Sequence, residues 1–146
     1  MSFAEVINNT SDIAECFEPG LQALGANSSK VSVASTRELE GSVDIDTCVK
    51  NSYPNDARWD YVFGYKNRVY FVEVHPANTG EVKTLIKKLN RLKEWRKRSA
   101  PKLEALKSRS AYHWIASGKI AIVKKSRYNR MLAQAGISGP SLGVVL

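Results

Sequence analysis

The sequence predicts a single α/β domain in which helices flank a mixed β-sheet. Two neighbouring segments in the middle of the chain are rich in aromatic and β-branched residues, as strands are. A segment with helical spacing of apolar residues follows them. The 146 residues are 43% hydrophobic and 25% charged, which suits one globular core and excludes a disordered chain. No repeat or low-complexity tract divides residues 1–146, so we expect one domain.

The first part of the chain predicts a helix and then a short strand. Asp12 and Glu15 have the spacing of a capping box, and apolar residues at helical spacing continue to Leu24. Val31 and Val33 alternate with polar neighbours, which indicates a strand.

Residues 36–58 leave two interpretations open. Ser42 has the character of a helix N-cap, and Ile45 and Val49 would then share one helical face. The same apolar residues also fit a strand. We favour the helix.

Two strands joined by a tight turn are the clearest prediction of the sequence. The strand segments span residues 58–65 and 68–75, and Lys66 and Asn67 separate them in the manner of a two-residue hairpin. Pro76 cannot donate to a sheet ladder, so we expect it to end the second strand.

The second half of the chain alternates helices with strands. The predicted elements are a helix that Asn78 and Glu81 open and that ends before Pro101, a shorter helix over residues 103–106, a strand over 112–116, another over 120–123, a helix from Ser126 to Gly136, and a final strand over 142–146. The first of these helices has an apolar stripe that is expected to pack on the sheet.

The hairpin brings three polar side chains to one face of the predicted sheet. A turn centred between residues 66 and 67 places Asp60 opposite Glu73. Directly opposed residues point to the same side of a sheet, with Cβ atoms about 4.5–5.5 Å apart. His75 follows Glu73 by two residues and therefore lies on that side too. We expect the three side chains to converge near one end of the hairpin.

Facing carboxylates in an apolar hairpin repel each other unless a cation lies between them. Mg²⁺ accepts one or two carboxylates together with water and phosphate oxygens. Asp60 and Glu73 are therefore candidate ligands of a divalent cation that would serve phosphodiester hydrolysis. Two simpler interpretations stay open: Glu73 pairs with Arg58 or Lys83, or Asp60 is exposed at the end of its strand.

The residues around Asp60, together with the segment Glu73-Val74-His75, resemble the motif of the PD-(D/E)XK nuclease superfamily. In that superfamily an Asp begins the second strand of the core. A Glu or Asp, any residue and a Lys follow on the third strand. Asp60 matches the first position and Glu73 the second, whereas His75 stands in the place of the lysine. The resemblance covers roughly residues 58–117, and it implies a restriction-endonuclease-like core in α-β-β-β-α-β order.

The resemblance also implies roles for these residues. Asp60, Glu73 and the Val74 carbonyl would hold Mg²⁺ or Mn²⁺, and His75 would orient the attacking water or accept its proton. His75 supplies no permanent positive charge, so Lys83 on the following helix is the candidate for that part of the role. Loss of the motif lysine also fits a nuclease fold that is kept only for binding, and both interpretations stay open.

Basic residues are concentrated in the second part of the chain. Residues 1–80 have 6 basic and 11 acidic side chains, whereas residues 81–146 have 16 basic and 3 acidic ones, within a formal net charge of +8. A surface of one sign attracts a polyanion, and nucleic acid is the commonest such partner. The candidate nucleic-acid-binding residues are Lys83, Lys87, Lys88, Arg91, Arg96, Lys97, Lys119, Lys124 and Lys125. An acidic protein partner and an ordinary solvated face are alternatives, and a homodimer would let so small a domain engage two strands.

The cysteines and the hydropathy of the chain favour a cytoplasmic location. Cys16 and Cys48 lack the spacing of a metal or redox motif, so we expect two free thiols in a reducing compartment rather than a disulfide. No apolar run reaches the roughly 18–20 residues that span a membrane. The first residues do not have the pattern of a secretion signal.

Overall fold

A computed structural model describes residues 1–123 and 126–146 of the chain. The helices are α1 (Phe3–Asn8), α2 (Ile45–Val49), α3 (Val82–Ser99), α4 (Lys102–Leu106) and α5 (Arg127–Ala135). The strands are β1 (Val31–Ser32), β2 (Leu39–Asp44), β3 (Tyr61–Tyr65), β4 (Arg68–Asn78), β5 (Lys107–Ala121), β6 (Ile137–Ser141) and β7 (Val144–Val145). None of the described helices is long and apolar enough to cross a membrane.

Five strands form one mixed sheet in the order β2-β3-β4-β5-β6, and β1 pairs with β7 in a separate parallel ribbon. The strands β2, β3 and β4 are antiparallel neighbours, whereas β5 lies parallel to β4, and β6 parallel to β5. Parallel pairing of β4 with β5 requires a crossover, which α3 and α4 supply. The predicted mixed α/β fold, with helices flanking a mixed sheet, is confirmed.

Apolar cores form on both faces of the sheet. Val62 and Phe71 belong to the core on which α3 packs through residues such as Leu85. Phe63 and Val72 belong to the other core, which also includes residues of β1 and β7. Successive residues of a strand point to opposite faces. Phe71 and Glu73 are two residues apart in β4, so Glu73 lies on the face that α3 covers.

The turn between β3 and β4 has the predicted centre. Residues 66–67 have φ angles of 50° and 59°. Two central residues with positive φ are characteristic of the type I′ turn, whose twist matches that of a hairpin. Phe63 consequently lies opposite Tyr70, which confirms the predicted register. The same register, continued to the start of β3, brings Asp60 beside Glu73.

The strand β4 extends past Pro76 to Asn78, so the prediction that the proline ends this strand is wrong. The register between β4 and β5 shifts between His75 and Ala77, which places Pro76 at the irregularity. A bulge takes one residue out of the regular ladder, so the missing N–H of a proline is tolerated there. The irregularity lies directly after His75, at the end of the hairpin that holds Asp60.

The helix predicted over residues 12–24 forms only as short 3₁₀ turns, and this prediction is wrong. Glu18 forms a two-way backbone bridge with Ser42 in β2, which holds the chain extended in the middle of the segment. Pro19 follows and has no N–H to donate to a helix. Pairing with the sheet edge therefore overrides the helical spacing of the apolar residues.

Residues 36–58 combine both interpretations that the sequence left open. The strand β2 runs to Asp44, and α2 begins at Ile45. Asp44 rather than Ser42 caps this helix, because its carboxylate accepts a hydrogen bond from the Thr47 N–H at 3.0 Å.

The last part of the chain agrees with the sequence in its helix and differs in its strands. Ser126 caps α5, and Gly136 ends this helix with a left-handed φ of 82°, as predicted. The strands predicted over 112–116 and 120–123 are one continuous strand, β5. The strand β6 was not predicted, since glycine and proline within Ile137–Ser141 are typical of a loop.

Cys16 and Cys48 form a disulfide bond, so the expectation of two free thiols is wrong. Folding brings the 3₁₀ turn at residues 14–16 against α2, and this contact joins positions that are distant in sequence. The cysteines therefore give no support to a reducing compartment.

Candidate active site

Asp60 and Glu73 are tied together by reciprocal hydrogen bonds at the start of β3. The backbone N–H of Asp60 donates to Glu73 Oε1 at 2.9 Å. The backbone N–H of Val74 donates to Asp60 Oδ2 at 3.0 Å. Each carboxylate thus accepts a hydrogen bond from the strand that carries the other. The structure brings these two residues together, as the hairpin register predicts.

Lys88 completes the site from the helix α3. Its Nζ lies 2.5 Å from Glu73 Oε2, and the Glu73 side chain has no exposed surface. A carboxylate buried to this extent requires a charged partner or hydrogen bonds, because the desolvation of an isolated charge is very unfavourable. Lys83, which the sequence suggested for this role, is exposed instead. The lysine that pairs with Glu73 is therefore Lys88.

The position of Lys88 follows from the packing of α3. Leu85, Leu89 and Leu92 form the buried stripe of this helix. Lys88 lies one turn after Leu85 and directly before Leu89, so it borders the stripe and points along the sheet surface. The available signal in the sequence was a lysine at the edge of an apolar helical face.

His75 lies between two carboxylates. Its Nε2 is 2.7 Å from Glu81 Oε2, and its Nδ1 is 3.5 Å from Glu73 Oε2. The hydrogen bond to Glu73 raises the pKa of His75, burial lowers it in part, and the hydrogen bond to Glu81 raises it further. The Trp114 indole N–H donates to the His75 carbonyl at 3.1 Å, which fixes the backbone here.

Glu81 was predicted to help open the helix, and no capping hydrogen bond from its side chain is present at the start of α3. Its carboxylate contacts His75 instead. The sequence contains no signal for this contact, because the distance between the two side chains depends on the bulge at Pro76.

The surroundings of Asp60 raise the pKa of its carboxyl group. Burial raises its pKa from 3.8 to about 7, and the negative charge of Glu73 contributes in the same direction. The Val74 N–H and the charge of Lys88 oppose this shift in part. Near neutral pH the group therefore exchanges between the acid and the carboxylate, as residues of catalytic sites often do.

The resemblance to the nuclease motif names the Asp60 and Glu73 carboxylates and the Val74 carbonyl as ligands of a cation. In residues 1–123 and 126–146, no group of three or more His, Cys, Asp or Glu side chains is arranged to hold a metal ion. Two carboxylates still suit Mg²⁺, which retains waters and binds substrate oxygens. Burial and the charge of Glu73 disfavour the charged form of Asp60, and a cation beside this carboxylate would offset that effect. The chemistry of Asp60 therefore suits a cation, whereas both oxygens of Glu73 already contact the Asp60 N–H, Lys88 and His75.

The basic residues predicted to bind nucleic acid separate into four groups. Exposed positions on α3 and β5 are Lys83, Lys87, Arg91, Lys97 and Lys119. Arg96 is buried, where it contacts the Tyr112 hydroxyl and pairs with Glu104, so it is not part of the surface. Lys88 belongs to the site, and Lys124 and Lys125 lie outside the described residues.

No family model, curated protein or solved structure matches this chain. The function of the site is therefore inferred from its own geometry and chemistry.

Proposed function

We propose that this protein is a Mg²⁺-dependent phosphodiesterase that hydrolyses phosphodiester bonds of DNA or RNA at Asp60, Glu73 and Lys88. The observation that carries the proposal is the buried Glu73, which is hydrogen-bonded to the backbone of Asp60 and paired with Lys88. Two carboxylates and a lysine at one end of a hairpin are the groups that the PD-(D/E)XK motif uses. Here the lysine comes from α3 rather than from the position of His75.

The order of the elements supports this proposal. The strands β2, β3 and β4 form an antiparallel meander, α3 follows, and β5 pairs with β4 in parallel. A restriction-endonuclease-like core has its meander, helix and next strand in this order. Asp60 precedes the second strand of the meander and Glu73 lies in the third, where the motif requires them.

The cation would be held by Asp60, Glu73 and the Val74 carbonyl, and when bound it stabilises negative charge on the phosphodiester. Lys88 supplies the permanent positive charge that His75 lacks. Its ammonium group would orient the attacking water and offset the charge that develops on the phosphate. His75, whose two ring nitrogens face Glu73 and Glu81, would add positive charge beside the phosphate when it is protonated, and Glu81 holds its ring in position.

The exposed basic residues would bind the substrate backbone. Lys83, Lys87 and Lys97 project from the same helix that places Lys88 in the site. Lysines bind phosphates as point charges and do not read bases. They would therefore contribute affinity that depends on salt and not on sequence.

Cleavage assays with matched variants test the proposal. Supercoiled plasmid, single-stranded DNA and RNA are incubated with the full chain in Mg²⁺, Mn²⁺ or EDTA. We expect cleavage only with a divalent cation, and a rate lower by about 100-fold or more in Asp60→Asn, Glu73→Gln and Lys88→Met. Lys66→Met at the distant hairpin turn is the control, and it should cleave like the unaltered protein. Equal residual cleavage in all variants would contradict the proposal.

One observation favours a second candidate function, that of a nuclease-fold protein that only binds nucleic acid or an acidic protein. Both oxygens of Glu73 are already engaged, one by the Asp60 N–H and the other by Lys88 and His75. Under this alternative the protein binds DNA or RNA in EDTA without cleaving it in Mg²⁺ or Mn²⁺. The two ionic conditions therefore distinguish binding alone from catalysis.

A further inference from the structure

A half-open pocket lies beside the candidate active site, between α2, α3 and the segment before β3. Its apolar part is formed by Ile45 and Val49 of α2 and by Leu92 of α3. Aromatic side chains of Tyr53, Trp59 and Trp95 also line it. A concave surface with several aromatic rings is suited to a flat, aromatic ligand.

The aromatic walls are held in place by a shared hydrogen-bond acceptor. The Tyr53 hydroxyl donates to Asp12 Oδ2 at 2.8 Å, and the Trp95 indole N–H donates to the same oxygen at 2.9 Å. Asp12 thereby fixes two rings from distant parts of the chain, and the bond between Cys16 and Cys48 ties α2 to the same segment. The pocket is therefore preorganised, which lowers the entropy lost on binding.

Charged residues of both signs line the pocket. Three are arginines (Arg58, Arg91 and Arg98) and two are carboxylates (Asp56 and Glu94). Arg58 is paired with Asp46 at 2.8 Å, so Arg91 and Arg98 are the arginines considered for a ligand. Arg98 lies over the Tyr53 ring, 5.7 Å from its centroid, and it has no carboxylate partner among the residues that the structure describes. Arg91 forms an exposed pair with Glu94, which contributes little to stability and leaves the guanidinium accessible. These arginines would attract a ligand that carries phosphate groups.

Trp59 forms a rigid, almost completely buried part of the pocket wall. Its side chain is 1% exposed, and its Nε1 has no hydrogen-bond partner among the described residues. A buried donor without a partner is unfavourable, and such groups in native proteins call for an explanation.

The pocket adjoins the groups proposed for catalysis. Trp59 is the residue directly before Asp60, and Arg91 follows Lys88 by three residues on the same helix. Three residues correspond to about 4.5 Å along a helix axis. A nucleotide next to the scissile phosphate would therefore reach the pocket without leaving the protein surface.

We propose that this pocket holds one unstacked nucleobase of the substrate strand, with the arginines on the flanking phosphates. The protein would therefore act on single-stranded nucleic acid or on an unpaired nucleotide within a duplex. A base in a stacked duplex cannot enter a pocket between two helices unless it is extruded. Stacking on aromatic side chains with cationic contacts to the backbone is how single strands are commonly bound. The inference rests on the proposed function for its substrate, and on the pocket for its specificity.

Binding measured without metal tests the inference separately from catalysis. The probes are an oligothymidylate of about eight nucleotides and an abasic oligomer with the same number of phosphates, both in EDTA at one salt concentration. Quenching of tryptophan emission reports occupancy next to Trp59 and Trp95. We expect the thymidylate to bind about 5–100-fold more tightly than the abasic oligomer, since one stacked base contributes about 1–3 kcal/mol. Equal affinities and equal quenching would overturn the inference.

Substitutions of residues that line the pocket provide a second test of the inference. Tyr53→Leu removes a wall and Arg98→Gln removes a cation, and each should weaken thymidylate binding about 5-fold or more. Tyr53→Phe keeps the ring and should retain most of the affinity. Arg37→Gln removes an exposed arginine on another part of the chain and is the matched control. Far-ultraviolet circular dichroism establishes that each variant is folded, and identical losses for Arg98→Gln and Arg37→Gln would contradict a specific pocket.

The two proposals fail in distinguishable ways. Absence of metal-dependent cleavage with intact, base-dependent binding would refute the proposed catalysis and retain the pocket. Cleavage of single strands and perfect duplex at equal rates, unaffected by Tyr53→Leu, would refute the pocket and retain the catalysis.

Discussion

Asp60 couples the electrostatics of the site to the stability of the fold. Its pKa is about 7 in the folded protein and 3.8 when unperturbed. The folded state therefore binds a proton more tightly than the unfolded state does. The resulting contribution to stability is present at low pH and is lost as the pH rises from about 4 to about 7. The raised pKa of His75 acts in the same direction, with its contribution lost at higher pH.

We predict that Asp60→Asn stabilises the metal-free protein at pH 8, by roughly 1–3 kcal/mol in the free energy of unfolding. The amide cannot ionise, so burial and the charge of Glu73 no longer disfavour the side chain. At pH 4 the variant and the unaltered protein should be nearly equally stable. Denaturant unfolding in EDTA at the two pH values measures the difference. A gain of the same size at both values would contradict this account of Asp60.

The ion pair of Lys88 with Glu73 gives a second prediction at this scale. Lys88→Met leaves a fully buried carboxylate without its cation, and we expect a loss of about 2–4 kcal/mol in the free energy of unfolding. Glu73→Gln combined with Lys88→Met removes both charges and should recover part of that loss. Chemical denaturation of the two single variants and the double variant forms the required cycle. Strictly additive losses would mean that the pair is not coupled.

At the scale of elements, the helix α1 packs on the sheet where β3 has no side chain. A Cβ atom added at Gly64 would lie 2.6 Å from Phe3 Cγ and 2.7 Å from Phe3 Cβ. Phe3 is itself buried, so it has little freedom to move away. The absence of a side chain at Gly64 therefore sets how closely α1 approaches β3.

We accordingly expect Gly64→Ala to lower the free energy of unfolding by about 1–3 kcal/mol, because the methyl group overpacks the contact with Phe3. Gly118→Ala is the matched control, since a Cβ atom at Gly118 meets nothing within 4 Å. Thermal and denaturant unfolding of both variants measure the effect. Equal stability of the two variants would show that α1 shifts freely.

The disulfide bond between Cys16 and Cys48 also holds two elements together, because it joins the 3₁₀ turn at residues 14–16 to α2. We predict that Cys16→Ser with Cys48→Ser lowers the free energy of unfolding by about 2–4 kcal/mol, as loss of a cross-link of this kind usually does. Reductant should weaken the unaltered protein by a similar amount and leave the double variant unchanged. If reductant also destabilised the double variant, the loss of stability of the unaltered protein in reductant could not be attributed to this disulfide.

For the whole molecule, the separation of charge along the sequence predicts a salt-dependent association with polyanions. Lys83, Lys87 and Lys97 are exposed on one helix. The affinity for single-stranded DNA falls as salt rises, and each phosphate contact contributes about −0.7 to the slope of log affinity against log salt. We therefore expect the combined replacement of the three lysines by Gln to make this slope less negative by about 2. Fluorescence anisotropy across a salt series measures the slope. An unchanged slope would place the binding surface elsewhere.

The hairpin is the part of the site that local rules made predictable. A two-residue turn sets the register, and a period of two residues assigns each side chain to a face, so the sequence alone predicts the pairing of Asp60 with Glu73. Two contacts of the site were not predicted: that of Lys88 with Glu73 and that of Glu81 with His75. Their contacts depend on how far α3 slides along the sheet and on the bulge at Pro76, which no local pattern encodes.

Local sequence patterns are sufficient to predict the mixed α/β class, the hairpin with its register, the apolar stripe of α3 and the ends of α5. Each of these follows from periodicity, turn chemistry or capping within a few residues of the chain. Four other features arise from long-range packing: the disulfide, the 3₁₀ turns in place of the predicted helix, the burial of Arg96, and the pairing of Glu73 with Lys88 rather than Lys83. These features depend on pairs of residues far apart in sequence, whose distances are fixed only when the sheet and α3 pack together.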